Sequence, residues 1–186
     1  MKKTMIFGAV MALLFTNCGK DENPFLISKG RVGQVGQATQ MKQIDSIFAN
    51  DSIVRLNPIT NALGTQGEVE IYEKGGTLLL LLQPEREDDP NSTISSIQVF
   101  DARYQTEKGL NTESTFKEVE DNYTIADIET TISSVVIFLK DSDVFLTIDK
   151  KELPENLRYN PSIEIEASQI PDDAPIKYFM VGWDSE

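Results

Sequence analysis

Histidine is absent from the 186 residues, and cysteine occurs once, at position 18. Without histidine the commonest general base and zinc ligand are missing, and so is any Ser-His-Asp or Cys-His constellation. A lone cysteine cannot close a disulfide within the chain. Positive charge is scarce: 17 Lys and Arg stand against 30 Asp and Glu, a formal net charge of −13. So acidic a surface repels phosphate backbones and anionic headgroups, which argues against nucleic acid as a partner. Long apolar runs are missing as well, since Met5 to Phe15 is too short to span a bilayer as a helix and no later run approaches that length.

What is present at the start is ordered like an export leader. Lys2 and Lys3 precede the apolar run, and Thr16-Asn17-Cys18 forms a small, polar exit. Residues 1–17 are therefore expected to be cleaved, leaving Cys18 as the acylated N-terminus and residues 18–28 as a lipidated tether. Removing Lys2 and Lys3 with the leader leaves 15 basic and 30 acidic residues, a net charge of −15. Anchoring then rests on Cys18 alone, through acyl chains that supply more than one hydrocarbon tail.

This start resembles a bacterial lipoprotein signal, with Phe15 and Asn17 where the lipobox prefers leucine and a small residue. The next residues, Lys20, Asp21 and Glu22, resemble the lysine-plus-acids export signal of surface-exposed lipoproteins in the Bacteroidota. The resemblance implies a lipid anchor in the outer membrane, exposure at the cell surface, and a partner among envelope or extracellular proteins. Lys20 to Pro24 also reads as a plain solvated tether, which is compatible with that signal.

Along the rest of the chain, Met41, Ile44 and Phe48 fall at i, i+3 and i+7, predicting a helix over 38–48 with Thr39 as its N-cap. Strands are expected at 52–56, 69–73, 77–83, 93–100, 125–130, 133–140, 144–150, 162–168 and 176–183. Lys74-Gly75-Gly76 and Asp141-Ser142-Asp143 mark hairpin turns. The unbroken Leu78 to Leu82 suits a strand covered on both faces. Phe116, Val119 and Tyr123 stand 75 positions after Met41, Ile44 and Phe48, and Thr115 with Glu118 has capping-box spacing. Two tandem units follow, 29–103 and 104–186, together one compact domain. The expected fold is α+β, two helix-plus-antiparallel-sheet repeats with the helices packed on the sheet. This order is similar to the tandem architecture of β-lactamase inhibitor proteins and small outer-membrane assembly lipoproteins. The lipidated start, Val32-Gly33 to Thr39, the Lys74-Gly75-Gly76 turn and the closing strand resemble an uncharacterised family of Gram-negative lipoproteins, which lends no functional residue.

Candidate chemistry is thin. Gly30, Gly33 and Gly36 precede a helix start but lack the following Gly-Lys-Ser/Thr of a phosphate loop, so they read as turns. The acidic loop Glu85 to Asn91 lacks the alternating ligands and glycine of an EF-hand, and Asp172-Asp173 sits at a turn. On the closing strand, alternation sets Phe179, Val181 and Trp183 on one face, with Tyr178 and Met180 on the other. No catalytic residue, cofactor or metal ligand is assigned, and no enzymatic activity is expected. The expected role is a non-catalytic envelope lipoprotein that binds a protein. The alternative is an accessory module for a glycan or a divalent cation.

Overall fold

The computed structural model describes residues 23–56, 67–87, 89–158 and 163–183. Its architecture is mostly β, and this overturns the expected α+β fold with helices packed on the sheet. Among the described residues there are three short α-helices: α1 (Ile44–Ile47), α2 (Phe116–Asn122) and α3 (Glu155–Arg158). The apolar spacing at 41–48 marks a 3-10 turn (Met41–Gln43) running into α1, too few turns for a helical layer. Within a few residues α1 and α2 are each followed by β-branched sequence, Ile53-Val54 and Thr124-Ile125.

The strands are β1 (Leu26–Ser28), β2 (Arg31–Val32), β3 (Val35–Gly36), β4 (Ser52–Arg55), β5 (Val69–Tyr72) and β6 (Leu78–Pro84). They continue with β7 (Ile94–Val99), β8 (Gln105–Thr106), β9 (Ile125–Thr130), β10 (Ser134–Leu139), β11 (Val144–Asp149) and β12 (Tyr178–Gly182). A four-stranded sheet has the order β3-β2-β1-β8, and an eight-stranded sheet the order β4-β5-β6-β7-β12-β11-β10-β9. All pairings in the large sheet are antiparallel. It consists of two four-stranded meanders that meet where β7 pairs with β12.

Equivalent hydrogen bonds recur in the two halves. Met41 and Lys42 donate their N–H groups to the carbonyls of Ser92 and Pro90, and Phe116 and Lys117 donate theirs to Ala174 and Asp172. Isolated bridges join Gln40 to Thr93 and Thr115 to Pro175. The backbone N–H of Gln40 donates to Gln43 Oε1 and that of Thr115 to Glu118 Oε2, each at 2.8 Å. Gln40, not Thr39, thus caps the first helical turn, while the Thr39 hydroxyl accepts from the Gly36 N–H. These matches relate the meanders by an approximate twofold axis between β7 and β12.

Alternation puts one face of the large sheet inward. Ile71, Leu80, Leu82, Ile97, Val99, Phe179, Val181, Leu146, Ile148, Val135 and Ile137 are fully buried there. Ile27, Val32 and Val35 of the small sheet and Ile44, Phe116 and Val119 of the helical turns complete the same core. Burying one such aliphatic side chain stabilises the fold by about 1.5–3 kcal/mol. The Gly30 and Gly33 turns of the small sheet take positive φ, 73° and 55°, and a Cβ on Gly33 would lie 2.3 Å from the Pro24 carbonyl oxygen. At the far side of that sheet, Asp143 Oδ2 accepts from the Gly30 N–H at 2.6 Å and from Trp183 Nε1 at 3.0 Å, tying three distant segments together. Two other expectations change. Residues 163–166 pair with no strand and lead into a 3-10 turn (Ala167–Gln169). The leucine-rich β6 is only partly covered: Leu79, Leu80 and Leu82 are buried, while Leu78 and Leu81 are half-buried.

Candidate functional site

The residues expected to carry lipid and export signal, Cys18, Lys20, Asp21 and Glu22, lie outside the described residues. Among the described residues no helix is long and apolar enough to cross a membrane. No group of three or more acidic side chains is arranged to hold a metal ion there either. The acidic loop is occupied internally: Arg86 Nη2 lies 2.7 Å from Asp89 Oδ2, and Thr93 Oγ1 donates to Glu85 Oε2 at 2.8 Å. The Asn91 backbone N–H, more than the Arg86 charge, holds the Asp89 carboxyl below the usual range. Asp88 lies outside the described residues. The N–H groups that follow Gly36, those of Met41 and Lys42, are already given to carbonyls, so no anion cradle forms there.

Two grooves, of about 430 and 420 Å³, flank the ends of the large sheet. The first is lined by Asp45 with Arg55 and by Arg86 with Asp89, pairs that neutralise one another. The second gathers Lys29, Lys108 and Lys140 with Glu107, Asp141 and Asp143, three charges of each sign. The first also holds Lys42, whose ammonium donates to Asn91 Oδ1, beside Met41, Leu56 and Val69, and the second balances its charges; neither sets unpaired charges around a common point.

The uncovered face of the eight-stranded sheet differs from both. One register line crosses every strand on this face: Val54, Glu70, Leu81, Gln98, Met180, Phe145, Phe138, Asp127. A second line runs Tyr178, Thr147, Val136, Glu129. Gln98 and Met180 sit on the approximate twofold axis. The two sides of that axis are unlike, because Phe145 and Phe138 take the places corresponding to Leu81 and Glu70. The apolar weight therefore lies on β10, β11 and β12.

Local chemistry holds that stripe flat. The Phe138 and Phe145 rings stack at 5.8 Å between centroids with 23° between planes. Phe145 leans over Gly182, where an added Cβ would sit 2.9 Å from its ring. Tyr178 is 43 % exposed and Phe100, just beyond β7, 39 %. Lys177 Nζ lies 2.9 Å from Asp149 Oδ2 and 5.3 Å from the centre of the Tyr178 ring. The Lys151 backbone N–H, then the Lys177 ammonium, hold the Asp149 carboxyl low, and Asp149 in turn raises Lys177. On the other side of the axis Val54 and Leu81 stand apart among polar groups: Gln83 Nε2 donates to Glu68 Oε1 at 2.7 Å, Ser96 Oγ donates to Gln83 Oε1, and Tyr72 donates to Glu70 Oε2 at 2.9 Å. That last bond raises the Tyr72 phenol above its ordinary pKa.

The closing-strand alternation read from sequence is present in the structure, with Phe179, Val181 and Trp183 buried and Tyr178 exposed. Sequence reasoning missed Phe138 and Phe145. Both stand at the outward positions of strands whose inward positions are apolar too, and this doubled apolarity was the available signal.

No protein-family model matches the chain, and no curated protein does. Among solved structures it is similar to the uncharacterized protein yfeY from Escherichia coli, at 14 % identity and a TM-score of 0.51, over 84 % of this chain and 99 % of that one. At that identity the likeness concerns the fold alone.

Proposed function

We propose that the chain is a lipid-anchored envelope protein, exported through its leader, acylated at Cys18 and held at the outer membrane with its body at the cell surface. It acts without catalysis, by binding another protein on the open face of its large sheet. The observation that carries this reading is the inequality of the two faces. One is filled by core residues, while the other lays side chains of β10, β11 and β12 side by side, with Tyr178 exposed and Val136, Phe138, Phe145 and Met180 half-buried. Contiguous apolar surface of this kind marks interaction sites, and aromatic and methionine side chains are enriched in interfaces.

The test has two arms in the native host. Cys18→Ser is expected to abolish incorporation of a palmitate analogue and release the protein from envelopes; continued sedimentation with envelopes overturns the anchor. A photo-crosslinking residue placed at Val136 or Tyr178 is expected to capture one discrete protein in intact cells, whereas the same residue at Lys151 captures none. Equal capture from all three positions overturns the docking face. The leader, the tether and the face are independent features, so each arm stands or falls alone.

A further inference from the structure

The same face carries charge of one sign at its rim. Asp127 and Glu129 project from the edge strand β9 on the register lines of Phe138 and Val136, and both are exposed. Among the described residues neither has an ion-pair partner, and Asp127 accepts the N–H of its own neighbour, Ile128. The exposed arginines Arg55, Arg86 and Arg103, by contrast, all lie within 3 Å of a carboxylate, so none of them is left to neutralise this edge. The basic side chain nearest the stripe, Lys177, is already neutralised by Asp149.

Resting on the docking face described above, we infer that its partner is a protein that sets lysine or arginine side chains beside an apolar projection. Neighbouring strands are about 4.8 Å apart, so the β9 carboxylates stand one to three strand spacings, roughly 5–15 Å, from the stacked rings and Met180. A projection seated on the rings would bring its flanking cations against Asp127 and Glu129. Complementary charge of this kind governs the rate and choice of partner more than the final affinity. A second copy of the chain is the wrong occupant, because it would bring together molecules of net charge −13, or −15 once the leader is removed.

The probe is a cyclic β-hairpin peptide presenting phenylalanine flanked by lysines, compared with one in which glutamate replaces lysine, by calorimetry and by perturbation of the Phe138 and Tyr178 resonances. The lysine peptide is expected to bind at least about tenfold more tightly, with an advantage that shrinks as salt rises. The double variant Asp127→Asn, Glu129→Gln is expected to remove most of that advantage while leaving the melting temperature unchanged, since both positions are exposed and the changes isosteric. Equal affinity for the two peptides, no binding of the lysine peptide, or an advantage unaffected by the double variant overturns the inference. The crosslinking from Val136 separates the two claims: a discrete partner with an acidic contact surface would leave the docking face standing and remove only the basic partner.

Discussion

Tyr104 shows what a single buried polar group contributes. It is nearly inaccessible, meets the Phe25 ring edge-on at 5.0 Å, and follows an Arg103 bound to both Asp101 and Glu73. Burial, followed by the charges of Asp51 and Asp101, pushes its phenol up to about 12. An unfolded tyrosine ionises near 10, so the folded state keeps its proton across an interval in which the unfolded state loses it. The contribution is complete below about pH 10 and is lost as pH rises toward 12, an amount on the order of 2–3 kcal/mol. Urea midpoints measured across that window should fall steeply for the native sequence and more gently for Tyr104→Phe. Other single residues were readable without coordinates: Phe179, Val181 and Trp183 alternate with Tyr178 and Met180, and a period of two admits one assignment of faces once one is core.

At the scale of elements, the turns were legible and the helices were overvalued. Gly75 and Gly76 take φ of 122° and 94°, and Asp141 takes 58°, which are backbone states that the turn sequences of β5–β6 and β10–β11 favour. The two-residue strands β2, β3 and β8 were illegible because so short a segment carries no period at all. The apolar spacing at 41–48 was genuine, yet it described one turn of a wedge rather than a layer. What makes that turn hold is its start. In α2 the Thr115 N–H is taken by the Glu118 carboxylate, which also lies where the helix dipole favours negative charge. Glu118→Ala is expected to cost about 1 kcal/mol and Gln43→Ala less, since an amide lacks that charge; differential denaturation of the two variants checks the order.

For the molecule as a whole, sequence spacing suggested two helix-plus-sheet repeats, and the structure replaces them with two strand meanders whose joining no spacing foretold. No residue pattern announces that β7 and β12, far apart in the chain, are neighbours; that pairing is decided by which inward faces fit, Val99 against Phe179 and Ile97 against Val181. The open stripe on β10–β12 was equally hidden, because strands apolar on both sides read as fully covered. A chain ending before Tyr178 should lose both ladders that β12 makes, with β7 and with β11, and is expected to show no cooperative thermal transition. The last strand in order among the described residues thus occupies a middle position. Without it the edges of β7 and β11 face each other unfilled, so the two meanders become one sheet only through a segment distant from both neighbours in the chain.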